Sequence, residues 1–230
     1  MAFQEFTVTL VSKKQLTSDV FLYSFTCPST FWFQAGQFVM LQCENGETTK
    51  FKSYSLLNPP SEKGKLDLCV KLIPGGFASS LFVDMNVGDS FLAKGPFGTF
   101  IFHPDFSCSK VYFIACGTGV APFYSMLKEH LSSFPQKEFT LLFGVRTKKH
   151  LFLHEDFLSL ERVHTHFTYL PCLSKDTWNG NSGRVSSFLP DTLSDIQFYL
   201  CGLKEMVLDV KELLLCRGVP SDRIFFERYT

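Results

Sequence analysis

Glycines placed where a strand hands over to a helix are the residues in this chain whose type and spacing first point to chemistry. Val111-Tyr112-Phe113-Ile114 is a short apolar run, Gly117-Thr118-Gly119-Val120-Ala121-Pro122 follows, and Phe123, Met126, Leu127 and Leu131 recur at helical spacing. Such a strand, turn and helix leave unpaired N–H groups at the helix start, where a phosphate binds, and glycine lets the backbone approach it. A nucleotide pyrophosphate fits that description. The alternative is an ordinary βα turn using glycine for geometry, because the run departs from Gly-x-Gly-x-x-Gly. A second glycine-led turn, Pro74-Gly75-Gly76-Phe77-Ala78-Ser79, opens another short helix.

Eight cysteines, at positions 27, 43, 69, 108, 116, 172, 201 and 216, raise the question of metal or disulfide chemistry. None forms a Cys-x-x-Cys pair, so neither a zinc ribbon nor an iron–sulfur cluster has its usual spacing, and no metal is expected. Cys69, Cys116 and Cys201 lie inside apolar strand-like runs, where a reduced thiol serves as a small hydrophobe in a reducing compartment. The 22 basic residues balance the 22 acidic ones, which argues against nucleic acid or acidic lipid as a partner. No apolar run reaches the roughly eighteen residues of a membrane span. The start, Met1 to Thr7, lacks a basic region followed by an apolar core, and the chain reads as cytoplasmic.

The elements that must position these residues fall into two grammars. Up to about residue 104 the pattern is all-β: strands over 3–11, 20–25, 38–43, 51–56, 65–72 and 90–94, with one helix over 76–82. Short strands at this spacing predict a small closed antiparallel barrel of the six-stranded type. From 105 onward strands alternate with helices: strand 111–115, helix 122–132, strand 139–143, helix 154–160, strands 166–170 and 197–201, helix 204–217 and strand 223–226. That alternation predicts a doubly wound parallel α/β sheet. The expected domains are 1–104 and 105–230.

Motifs in both halves resemble those of the ferredoxin–NADP reductase superfamily in its compact form, and they occur in the family's order. Phe33-Gln34-Ala35-Gly36-Gln37-Phe38 resembles Pro-Gly-Gln-Phe, Lys52-Ser53-Tyr54-Ser55 resembles Arg-x-Tyr-Ser, and Gly75-Gly76-Phe77-Ala78-Ser79 the Gly-Gly-x-x-Ser loop. Gly95-Pro96-Phe97-Gly98 resembles Gly-Pro-x-Gly. Gly117 to Pro122 is then the nucleotide motif, Cys201-Gly202 the Cys-Gly motif, and Phe225 to Tyr229 the terminal strand. The resemblance implies an FAD-binding barrel followed by an NAD(P)H-binding α/β domain.

It also implies roles. Lys52 stands where the family has the pyrophosphate-binding Arg; it keeps the charge but gives up the bidentate fork, so that contact should be weaker and less oriented. Tyr54 would stack or bond at the flavin, Ser55 would lie near N5, and Ser53 shares their strand. Val70, Lys71 and Leu72 would line the cofactor through their backbone, and Gly75, Gly76, Phe77, Ala78 and Ser79 would meet the pyrophosphate. A barrel-edge strand pair and a simply capped helix are the structural alternatives for these two stretches. Gly117, Thr118, Gly119, Val120, Ala121 and Pro122 would hold the nicotinamide nucleotide; Cys201, with Gly202, Leu203 and Met206, would sit beside its reacting end. A buried thiol closing a strand competes with that reading of Cys201. Arg146, Ser174 and Lys175 would meet the adenosine end, although Arg146 to Lys149 also reads as a solvated loop. Trp178 to Val185 resembles the Trp-x-Gly-x-x-Gly-x-Val element of NADH-using reductases, whereas Ser174-Lys175 resembles the Ser-Arg pair of NADPH enzymes; NADH is favoured. Phe226 or Tyr229 would cover the flavin, with Glu227 as a carboxylate near it.

The resulting expectation is a flavoprotein in which NAD(P)H reduces bound FAD by hydride transfer and electrons leave for a separate acceptor: a ferredoxin or other redox protein, a cytochrome, a quinone or free flavin. Residues then position more than they react, because the cofactors carry the chemistry. Ser55, Cys201 and Glu227 are the candidate catalytic residues. No plant-type Cys-x4-Cys-x2-Cys cluster pattern is present, which disfavours the electron-transfer subunit of dihydroorotate dehydrogenase. The alternatives are a flavin reductase using loosely held flavin as substrate, and a non-catalytic flavin- or nucleotide-binding subunit of a redox complex.

Overall fold

A computed structural model describes residues 3–105 and 107–229. The chain divides into two units, one holding the residues up to Phe102 together with Tyr124–Glu129, the other His103–Phe123 and the residues from His130 on. The boundary expected at 104/105 lies just past this division.

The first unit contains β1 (Gln4–Gln15), β2 (Val20–Thr26), β3 (Phe38–Asn45), β4 (Thr48–Ser55), β5 (Lys65–Lys71), α1 (Ser79–Asp84) and β6 (Ser90–Phe97). These six strands form one antiparallel sheet in the order β4-β3-β6-β1-β2-β5. Alternation along β1 buries Phe6, Val8 and Leu10, which join Tyr23, Phe25, Val39, Leu41, Leu66, Leu68 and Ala93 in one core. The sheet curls toward a barrel without a full seam. Its two ends, β4 and β5, share one isolated bridge among the described residues, Leu56 to Leu68. Beyond Leu56 the chain enters Asn58-Pro59-Pro60, and proline has no N–H with which to extend a ladder. Asn58 takes the strand's place: its side chain accepts from Asp67 N–H at 2.8 Å and donates to the Lys65 carbonyl at 3.0 Å, while Leu57 N–H donates to the Asp67 carbonyl at 2.9 Å.

The rest of the chain forms β7 (Lys110–Cys116), α2 (Ala121–His130, whose residues 124–129 are counted with the first unit), β8 (Glu138–Val145), α3 (His154–Val163), β9 (Phe167–Leu173), β10 (Asn181–Ser182), β11 (Ile196–Leu203), α4 (Lys204–Cys216) and β12 (Ile224–Tyr229), and the strands belong to the second unit. All neighbours in its sheet are parallel, in the order β10-β9-β8-β7-β11-β12. β8 and β11 are apolar almost without interruption because both faces of a parallel sheet are covered. α4 lays Val207, Val210 and Leu214 onto Ile114, Phe198 and Leu200 on one face. On the other face Phe113 packs against Phe123 at 4.9 Å and Tyr199 at 5.5 Å between ring centroids. The chain runs from β7 outward through β8 and β9 and then back to β11 on β7's other side, so the order reverses between β7 and β11.

Two details differ from the sequence reading. The glycine turn after β7 is itself a 3-10 turn, Gly117–Val120, running into α2. The two-residue β10 extends the sheet from a stretch with no strand pattern, since Gly180 and Gly183 flank it. The Asn58 stitch makes a checkable statement. Asn58→Ala orphans the Asp67 N–H and the Lys65 carbonyl, and should cost about 2–3 kcal/mol; a lowered urea midpoint is the expected result, and an unchanged one would refute the stitch.

Candidate functional site

In the first unit, strand alternation on β4 turns Lys50, Lys52 and Tyr54 to one face, opposite Cys43, Leu41 and Val39 of β3. The loop ahead of α1 comes to the same place: the Lys50 and Lys52 ammonium groups stand 4.8 and 5.9 Å from the Phe77 ring centroid. Tyr54 meets Phe82 edge-on at 5.1 Å and hydrogen-bonds the Cys43 thiol. Burial pushes the Tyr54 hydroxyl far above its ordinary range, so it stays protonated. The loop keeps its form because Ser79 Oγ accepts the Ile73 N–H at 2.9 Å. Ser79 is thus part of the loop's own scaffold, and its hydroxyl can still donate a hydrogen bond. Ser53 and Ser55 alternate to the opposite face; Ser53 is exposed and Ser55 buried. β5 ends the sheet, leaving one backbone edge of Val70 and Lys71 without a strand partner among the described residues. Val70 and Leu72 side chains pack into the core, and the exposed Lys71 pairs with Asp19 at 3.2 Å. Gln37 ties two of the motifs together, accepting from Gln34 N–H at 2.8 Å and donating to the Gly98 carbonyl at 3.0 Å.

In the second unit the ends of β7 and β11 meet at the order reversal, where ligands of open α/β sheets bind. A Cβ on Gly119 would lie 2.4 Å from the Cys201 carbonyl oxygen, and one on Gly202 2.6 Å from Cys116 Sγ. Each turn therefore needs glycine because the other turn fills the space. Leu203 N–H donates to Cys116 Sγ at 3.2 Å, which fastens the same two turns. Val120, Ala121 and Pro122 are buried behind them, and Gly117 and Thr118 are half-buried. Parallel register sets Glu227 beside Cys201 and Tyr229 beside Leu203. The Cys201 thiol is held well above its ordinary value of 9.0, by burial first and by the Glu227 charge next, against a hydrogen bond with Tyr229. It is 0% exposed. A thiol so placed is a neutral wall and not a nucleophile.

At the neighbouring strand ends Lys175 N–H donates to the Arg146 carbonyl at 2.8 Å and Ser174 N–H to the Val145 carbonyl at 3.0 Å, which brings Arg146, Ser174 and Lys175 together. Asp176 joins them, its carboxylate accepting the Lys148 N–H at 3.1 Å. Trp178 closes the loop beyond by donating its indole N–H to the Asn181 carbonyl at 2.9 Å.

The residues 7–102 match the oxidoreductase FAD-binding domain and 113–212 the oxidoreductase NAD-binding domain. A ferredoxin–NADP reductase B of Sorangium cellulosum is 30% identical over 242 residues, covering 98% of each chain. The chain belongs to the ferredoxin–NADP reductase superfamily. The reductase component of propane 2-monooxygenase from Rhodococcus jostii is likewise 30% identical, but this chain spans only 57% of its length. The crystal structure of an Amycolatopsis cytochrome P450 reductase superposes with a TM-score of 0.91 at 28% identity, over 99% of this chain and 70% of that one.

The residues present fit the groups that a reductase of this superfamily carries. Lys52 and Lys50 supply cations beside the Gly75 loop, where a Cβ on Gly75 would meet nothing within 4 Å, and the glycine-packed turns leave backbone at the order reversal for a dinucleotide. Two expected residues lie elsewhere. Phe226 turns to the α4 side, with the Lys211 ammonium 4.1 Å from its centroid, away from the face of Cys201, Glu227 and Tyr229. Met206 packs against the α4-side core. Sequence reasoning passed over Lys50, Cys116 and Asp176. Lys50 was legible as the i−2 neighbour of Lys52 on one face of a strand; the other two act through contacts between separate strand ends, which no local pattern records.

Burial pushes the Cys69 and Cys172 thiols up to about 12 from an ordinary 9.0. Their protons are kept by the fold and lost by the unfolded chain, so stability should fall from about pH 9 upward, by at most about 1.4 kcal/mol per pH unit for each thiol. Thermal melts at pH 7, 9 and 10 check this, and Cys172→Ala should flatten the decline. In the same protein at pH 8, iodoacetamide should label exposed Cys216 and spare Cys201 until the chain unfolds.

Proposed function

We propose that this chain is an FAD-dependent reductase that takes a hydride from NADH and delivers electrons to a separate acceptor. The observation that carries the reading is the pair of prepared backbone sites: the Lys50–Lys52–Phe77 face in the part matching the FAD-binding domain, and the glycine-packed turns in the part matching the NAD-binding domain. We assign the first role to 1–104 and the second to 105–230. When bound, FAD supplies a carrier that accepts two electrons as hydride and can release them singly.

The chain's own residues bind and orient. Lys52 balances pyrophosphate charge, the Gly75–Ser79 loop offers backbone N–H groups, and Tyr54 presents a neutral ring and hydroxyl to the flavin. Ser55 closes the same strand near the reacting edge, and Val70 to Leu72 offer backbone donors and acceptors. Gly117 to Pro122 cradle the nucleotide, while Cys201, Gly202 and Leu203 form an uncharged wall for the nicotinamide. A protonated thiol there excludes water without competing for hydride. Tyr229 covers that wall, and Glu227 holds or moves a proton at its carboxylate.

NADH is favoured over NADPH by Asp176, whose carboxylate sits with Arg146, Ser174 and Lys175 and would repel a 2′-phosphate. The Arg146–Lys175 pair supports NADPH as the second reading. For the acceptor, the likeness to an oxygenase reductase component favours a separate redox protein of an oxygenase system. No helix is long and apolar enough to cross a membrane, and a cytoplasmic setting agrees with eight free cysteines.

A visible spectrum of the purified protein, recorded anaerobically before and after NADH or NADPH, tests the reading. Flavin bands that bleach faster with NADH are expected. A colourless protein that oxidises NADH only with added free flavin would replace the reading with a flavin reductase; a colourless, inactive protein would make it a non-catalytic subunit. Asp176→Ala should raise the NADPH to NADH ratio of kcat/KM by about tenfold, as removal of one nearby like charge predicts.

A further inference from the structure

Lys50 and Lys52 differ from three other lysines of their sheet. Lys65 pairs with Glu62 and Asp67, Lys71 with Asp19, and Lys94 with Glu5, all within 3.2 Å. Among the described residues neither Lys50 nor Lys52 has a carboxylate within ion-pair distance; both turn to the Phe77 ring, at 4.8 and 5.9 Å. Two like charges gathered on one ring repel each other, and cation–π attraction to a phenyl group offsets this only in part. Such a pair is favourable when an anion lies between or beside it. The pair also sits where β4, the last strand of the sheet, faces the Gly75–Ser79 loop.

A diphosphate carries two negative charges. An arginine meets it with a planar fork of donors; one lysine offers a single point charge and cannot grip two oxygens in a fixed plane. Lysine at position 52 therefore keeps the charge but loses the fork of donors, and a second lysine two residues earlier on the same face supplies further donors and a second charge against the diphosphate's two. We infer that Lys50 is a second cation of the FAD diphosphate site, acting with Lys52 as a two-lysine replacement for a single arginine, with Phe77 holding the two stems in register. This rests on the FAD reading above.

The experiment is a binding titration of the full-length apoprotein with FAD and with riboflavin, which has no phosphate, followed by flavin fluorescence. Lys50→Gln, Lys52→Gln and the double variant are compared with wild type, with far-UV circular dichroism confirming the fold. Each single variant should weaken FAD binding about tenfold and the double about a hundredfold, as loss of one or two charged hydrogen bonds predicts. Lys50→Arg should keep wild-type affinity, riboflavin affinity should be unchanged throughout, and the salt dependence of FAD binding should be shallower in Lys50→Gln. Wild-type FAD affinity in Lys50→Gln, or an equal loss for riboflavin, overturns the two-lysine site while the flavoprotein reading stands. A wild-type protein that binds no FAD overturns both.

Discussion

Two backbone turns pressed together without side chains between them hold the second unit's site. Gly119 has the Cys201 carbonyl where its Cβ would be, and Gly202 has the Cys116 sulfur. That mutual exclusion sets how near the ends of β7 and β11 come, and so the width of the crevice at the order reversal. The neighbouring features follow from it. Cys201 loses its last access to water, its thiol stays protonated, and Leu203 N–H finds the Cys116 sulfur as its acceptor.

The first unit solves a different problem, that of a curled antiparallel sheet with two free ends. Its core is ordinary alternation, but its ends are joined by one bridge and by the side chain of Asn58 acting as backbone. The residues proposed to meet a cofactor gather beside that incomplete seam. β4 brings the lysines and Tyr54, β5 a backbone edge at Val70 and Lys71 with no strand partner among the described residues, and the glycine loop brings Phe77. A fully closed barrel would offer none of these, because its backbone groups would already be spent on each other.

Most of the fold was legible in the sequence because period-two alternation and near-continuous apolar runs report burial directly. β1 and β8 show each pattern. The open seam was not legible, since it depends on prolines and an asparagine side chain meeting a strand from elsewhere. The glycine motifs marked the turns, but whether a glycine is needed for a ligand or for a neighbouring turn is a question of distance between strand ends. Phe226 illustrates the same limit: its type suggested a ring over a flavin, and the parity of β12 turned it toward α4. Parity is readable only once the strand's first residue and its partner are known.

The placement of Lys50 and Lys52 has a consequence for the protein before any cofactor reaches it. β4 is an edge strand of eight residues, with no further strand on its outer side among the described residues. Such an edge invites a strand from another molecule, and charged side chains on it make that addition costly because they would have to be desolvated. Two ammonium groups on that strand therefore raise the cost of adding another strand, and an anion that neutralised them without covering the edge would lower it.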